Sequence, residues 1–173
     1  MPKESVTYTR NRNYAPRTKT PEQALSSLMR QCARAEKCSS DALRSMRRWG
    51  LSDADARGVL ERLQRERFID DGRYAEAYVR EKVRFSGWGA MKIRAALRAK
   101  SIAPDVIARA LAQLEPEADA TRLEEVLRKK AAKTSARDAY DLKTKIVRFG
   151  MSRGFDLEDV IEATERILRE REP

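Results

Sequence analysis

The 173-residue chain has no histidine, two cysteines, seven glycines, six prolines and only 6% aromatic residues. Without histidine there is no Ser-His-Asp triad, no imidazole base and no imidazole metal ligand. Cys32 and Cys38 do not complete a four-ligand zinc site by themselves. No GxxxxGK(S/T) or GxGxxG loop is present to cradle a phosphate. Asp70-Asp71 is the only adjacent acidic pair in a suggestive place, and no further acid follows nearby. A helix cap is the simpler role for it than a metal site. No cofactor, metal or catalytic residue is therefore expected, and an enzyme is disfavoured. No apolar run approaches the ~20 residues of a membrane span. Met1-Pro2-Lys3-Glu4 lacks the apolar core of a secretion signal, which points to the cytosol, where both thiols stay reduced. Cys32 shares an apolar face with Leu25, Leu28 and Met29, so core packing is its expected role.

What the chain has in abundance is charge. Charged residues make up 37% of it and its net charge is +10. Residues 1–21 carry a net +4, residues 122–153 a net +6, and residues 154–173 a net −4. A basic body with an acidic end suits a polyanionic partner, nucleic acid first; a solvated face is the plain alternative.

A second feature is repetition. Leu51, Ile102 and Phe155 recur at intervals of about fifty residues. Each is followed at the same three offsets by one helix face: Ala56, Leu60 and Leu63; Ile107, Leu111 and Leu114; Val160, Thr164 and Ile167. Met46, Leu97 and Gly150 precede the anchors by five residues. Gly50, Ser101 and Gly154 directly precede them, where a helix end takes a left-handed residue. Ser52 and Asp156 are expected N-caps, and Pro104 sits where a first turn tolerates proline. The spacing predicts an all-α protein of three tandem three-helix repeats forming an elongated, curved molecule. The expected division is a flexible basic arm over 1–20 and repeats over 21–67, 68–115 and 116–173. In the second repeat a single helix is expected from Asp71 to Phe85, with Tyr74, Tyr78 and Val79 inward. A chain of this kind presents an extended surface to a large partner rather than a pocket to a small one.

Candidate binding residues follow from the basic clusters. Arg73, Arg80 and Arg84 lie along one side of the Asp71–Phe85 segment, and Lys92, Arg94 and Arg98 on the next helix. Residues 80–100 hold seven basic residues and one acidic one. Arg44, Arg47 and Arg48 form a similar cluster in the first repeat, beside Trp49. Guanidinium groups pair bidentately with phosphate. Phe85 and Trp88 lie between the basic helices. An exposed aromatic there stacks on an unpaired base; a buried one plugs the helix junction. Base-specific readout is not expected. The third helix of each repeat opens on acids such as Asp53, Asp105 and Glu158, which a phosphate-lined groove repels.

The block Phe68-Ile69-Asp70-Asp71-Gly72-Arg73-Tyr74-Ala75, then Tyr78-Val79-Arg80, Gly89 and Lys92-Ile93-Arg94-Ala95-Ala96-Leu97-Arg98, resembles the central signature of the RecX family. Ala24-Leu25 near the start and Arg148-Phe149 through Arg153-Gly154-Phe155 near the end resemble it as well, so the likeness covers roughly residues 22–170. Two positions depart from it: Ser101, where the family commonly has glycine, and Gly150, where a larger apolar residue is usual and looser packing is expected. The resemblance implies a bacterial regulator of the RecA recombinase that binds along the RecA–DNA filament and inhibits ATP hydrolysis and strand exchange. Its implied partners are RecA and single- and double-stranded DNA, with no membrane and a monomeric chain. A stand-alone, non-specific DNA-binding repeat protein is the alternative.

Overall fold

A computed structural model describes residues 18–170, and the regular elements within that range are all helices. Nine α-helices run α1 (Pro21–Cys32), α2 (Ser39–Arg48), α3 (Asp53–Arg65), α4 (Asp71–Glu81), α5 (Ala90–Ala99), α6 (Pro104–Leu111), α7 (Pro116–Ala132), α8 (Ala139–Arg153) and α9 (Leu157–Arg169), with a π-helical turn over Lys82–Ser86 after α4. They pack in threes: α1 and α2 on α3, α4 and α5 on α6, and α7, α8 and α9 on one another. Each triplet encloses its own apolar cluster. The fold is thus three tandem three-helix units.

The repeat positions are the core positions. Leu51, Ile102 and Phe155 are each buried, and so are Leu63, Ile107 and Ile167 on the helices that follow. Full burial of a side chain of this size stabilises by about 1.5–3 kcal/mol. Val59, Ala110 and Ala163, each eight residues past its anchor, are buried too and widen the apolar face.

The same C-terminal lock recurs three times. The amides of Leu51, Ile102 and Phe155 donate back to the carbonyls of Met46, Leu97 and Gly150. Those of Gly50, Ser101 and Gly154 donate to Arg47, Arg98 and Met151. This pair of bonds satisfies carbonyls that a helix end leaves open, and it needs a left-handed residue between. Gly50, Ser101 and Gly154 supply it at φ 77°, 58° and 83°. Ser52, Asp70 and Asp156 then accept backbone N–H bonds as N-caps of α3, α4 and α9, and Pro104 opens α6.

Three expectations change. Gly150 does not loosen the third repeat. A Cβ there would lie 2.7 and 2.9 Å from the Val160 methyls, so glycine lets α8 and α9 approach closely. The helix begun at Asp71 does not stay α to Phe85. Phe85 is seven residues after Tyr78 and would fall on the inward stripe of a regular helix. The wider π turn advances less per residue, and Phe85 ends 76% exposed. The third change concerns the basic arm, whose residues 1–17, with Arg10, Arg12 and Arg17, lie outside the described residues. Its last residues are structured. Thr20 closes a capping box with Gln23, the Lys19 amide donates to the Trp49 carbonyl at 3.0 Å, and the Lys19 ammonium lies 3.6 Å over the Trp49 ring.

Candidate nucleic-acid interface

Repeats one and two are joined by charge. Lys100 Nζ donates to Asp41 at 2.7 Å, and Arg73 Nε to Glu36 at 2.6 Å. The second Arg73 nitrogen reaches the carbonyls of Arg67 and Phe68. Asp71 accepts the Ser39 amide at 2.8 Å. Asp70 and Asp71 thus serve backbone amides, one capping α4 and the other tying the repeats. The Arg73 amide bonded to Asp70 holds that carboxyl below its ordinary pKa. Burial opposes charge at both Asp41 and Lys100. Burial is the largest single influence on each and is outweighed only in sum: bonds from Lys100 and Cys38 lower the acid, and bonds from Asp41 and Tyr74 raise the amine. Cys38, which the sequence left unassigned, is fully buried in the second repeat's cluster. Cys32 is half-buried against the first repeat's core. Burial raises the pKa of both thiols and keeps them protonated.

Repeats two and three are joined at backbone carbonyls, two of them bonded by backbone amides and two by charged side chains. The Gly89 amide donates to the Arg153 carbonyl at 2.9 Å, and the Met91 amide to Gly154 at 3.1 Å. Lys92 Nζ donates to the Ser152 carbonyl, and Arg153 to that of Ser86. A Cβ on Gly89 would overlap the Gly154 carbonyl, so the two chains meet with no side chain between them. Among the described residues, no hydrogen bond or ion pair links repeat one to repeat three.

Within this frame the candidate basic residues divide. Arg80 and Arg84, and Arg94 and Arg98, are exposed pairs four residues apart, with no ion pair or hydrogen bond among the described residues. Arg84 lies 5.3 Å from the Phe85 ring. Arg44 and Arg47 are exposed but paired with Asp41 and Asp53. Arg48 donates to the Ser45 hydroxyl. Arg73 and Lys92 stand at the two joints. Trp88 is half-buried against the second repeat's core, with Lys92 4.7 Å from its ring, so the plug describes it better than a stacking platform. Of these two rings, Phe85 is the exposed one.

Sequence reading missed the basic residues of α7 and α8. Arg84 and Phe85, with Gly87, face Lys129, Lys130, Lys133 and Arg153 across a groove of about 800 Å³ at the joint of repeats two and three. The positive stretch 122–153 was their only signal. Acids on α9 and just past its end offset part of that charge elsewhere: Glu165 pairs with Lys143 at 2.6 Å and Glu170 with Arg128 at 2.6 Å.

Serial three-helix units carrying free arginines define a helical-repeat protein with an extended basic surface. Residues 70–111 match the second three-helix domain of RecX, and residues 117–164 the third. The chain is 34% identical over 135 residues to the regulatory protein RecX of Chromohalobacter salexigens, covering 78% of this chain and 86% of that one. It is 31% identical over 124 residues to RecX of Mycolicibacterium vanbaalenii, covering 72% and 67%. Against two other RecX proteins the matched stretch spans about half their length, 43% and 52%. The crystal structure of RecX from Lactobacillus salivarius superposes with a TM-score of 0.72 at 18% identity, over 87% of this chain and 95% of that one, a likeness of fold. The chain belongs to the RecX family of regulatory proteins.

Proposed function

We propose that this chain regulates the RecA recombinase by lying along its filament on DNA and slowing ATP hydrolysis and strand exchange. Family membership supports the partner. The observation that carries the surface is the set Arg80, Arg84, Arg94 and Arg98, exposed and unpaired on a scaffold of serial units. These side chains meet DNA phosphate or acidic recombinase surface, and the length of the array lets one molecule contact successive protomers, restraining the motion coupled to ATP turnover. Arg44, Arg47 and Arg48 add a secondary basic patch, while Arg73 and Lys92 act chiefly by holding the repeats together. The chain acts in the cytosol, as a monomer and without a cofactor.

The test is DNA-dependent ATP hydrolysis by the cognate recombinase, with the protein titrated in at fixed salt onto filaments already formed. Inhibition well below one molecule per protomer is expected. The variant carrying Arg80→Glu, Arg84→Glu, Arg94→Glu and Arg98→Glu should inhibit only at much higher concentration. It should also show a shallower salt dependence of filament binding, since each lost phosphate contact removes about 0.7–0.9 from the slope. A folded variant that inhibits like the parent would remove these arginines from the interface. Absence of inhibition by the parent would end the filament reading.

A further inference from the structure

We propose that the groove between repeats two and three is a binding site for a few nucleotides of single-stranded nucleic acid, with Phe85 as the platform on which an unpaired base stacks. It rests on the nucleic-acid part of the function proposed above; it shares Arg84 with the arginine surface described there and adds Phe85 and the third-repeat cations, which that surface lacks.

Three observations converge on it. The first is charge: Arg84, Lys129, Lys130, Lys133 and Arg153 line the groove, against a single carboxylate, Glu125. Lys129 pairs with that carboxylate only at 3.7 Å. The second is Phe85, whose ring is 76% exposed in a chain that otherwise buries or half-buries its described phenylalanines and tryptophans. Leaving an apolar ring in water is unfavourable, and the π turn that puts it there is a departure from regular helix of the kind that gathers at functional sites. The third is rigidity. The π turn is held from both sides: Arg153 donates to the Ser86 carbonyl at 3.0 Å, and Gly87, at φ 59°, packs so closely on α7 that a Cβ would lie 3.1 Å from Val126. The ring is therefore presented at a fixed place beside the cations.

The combination selects its ligand. Cations alone take any polyanion, but an exposed ring flanked by them is matched by a base joined to phosphates. In a duplex both faces of each base are covered by neighbours, so Phe85 gains a stacking partner only from a single strand. An acidic peptide satisfies the lysines and leaves the ring unused. The volume, about 800 Å³, is that of a cleft for a small ligand or a short strand segment.

The experiment measures anisotropy of a fluorescent oligothymidylate of roughly 12 nucleotides, and of a duplex of the same length, without recombinase. Phe85→Leu keeps the apolar character and removes the stacking face. It should weaken the single strand roughly 5- to 150-fold and leave the duplex within about 2-fold, while Phe85→Tyr restores binding. The double change Lys129→Ala and Lys133→Ala should weaken the single strand and reduce its salt slope by about 1.4 units. Equal binding of the oligonucleotide by the parent and Phe85→Leu overturns the proposal while leaving the filament reading intact. So does an equal loss on single strand and duplex, or polyglutamate binding as tightly as the oligonucleotide. A parent that binds no nucleic acid at low salt overturns both this site and the DNA contacts proposed above, which separates the two failures.

Discussion

Replacing Gly89 by alanine tests the joint between the second and third repeats in isolation. Gly89 sits at φ −83° and ψ 167°, backbone angles open to any L-residue, so alanine brings no torsional strain. It precedes α5 and makes no side-chain cap bond. Alanine is the poorer residue there by a fraction of a kcal/mol, and its smaller unfolded-state entropy returns about 0.4–1 kcal/mol, so the local effects nearly cancel. What remains is the collision. The added Cβ would lie 2.7 Å from both the Gly154 carbonyl carbon and the Phe155 amide nitrogen, which are backbone atoms that cannot swing away. Either the strain of overpacking is absorbed, or the repeats separate and give up the Gly89–Arg153 and Met91–Gly154 bonds. Each route costs about 1–3 kcal/mol. For a chain of this size, that lowers the melting temperature by roughly 2–12 °C. Thermal melts followed by circular dichroism read it, and amide exchange at Met91 should quicken in parallel. Gly58→Ala is the control. Nothing lies within 4 Å of a Cβ there, and it sits inside α3, so it should stabilise by about 0.5–1 kcal/mol. A Gly89→Ala protein that melts at or above the parent, alongside a stabilised Gly58→Ala, would refute the joint.

Ser101→Gly should raise the melting temperature: Ser101 stands at φ 58°, where a Cβ costs about 1–2 kcal/mol, of which glycine's chain entropy takes back about half, leaving a gain near 0.5–1 kcal/mol. A lower melting temperature would show that the serine side chain contributes something the backbone account leaves out. The Asp41–Lys100 pair, 26% exposed on each side, should contribute about 1–2 kcal/mol near neutral pH. Because the folded pKa of Asp41 is depressed, that share is present above its unfolded pKa of about 3.9 and lost as pH falls through the folded value. Asp41→Asn should therefore destabilise at neutral pH and flatten urea stability between about pH 5 and pH 2. A stability difference that stays constant across that range would exclude the pair as its cause.

The parts legible in the sequence were those set by local periodicity. Leu51, Ile102 and Phe155 revealed the repeats because a helix face is written at fixed offsets. Ser101 was readable as left-handed because its equivalents are glycines. The joints were not legible. Arg73 looked like one more free cation until Glu36, distant in sequence, was placed beside it, and Cys38 had no assignment until the second repeat closed over it. The sequence left Phe85 open between platform and plug because its exposure depends on the π turn: α-helical counting would put it inward, and that turn rotates it out. The groove escaped because its two walls belong to different repeats, and composition saw the lysines only as a positive stretch.

The two joints differ in what the surrounding solution does to them. Between repeats one and two the ties are largely ionic, Arg73 to Glu36 and Lys100 to Asp41, and mobile ions weaken such ties over about 8–10 Å at moderate salt. Between repeats two and three every hydrogen bond ends on a neutral carbonyl, and two glycines bring the chains together without a side chain that can repack. Added salt is therefore expected to weaken the first joint more than the second, so that the first repeat should tilt more readily against the other two as ionic strength rises.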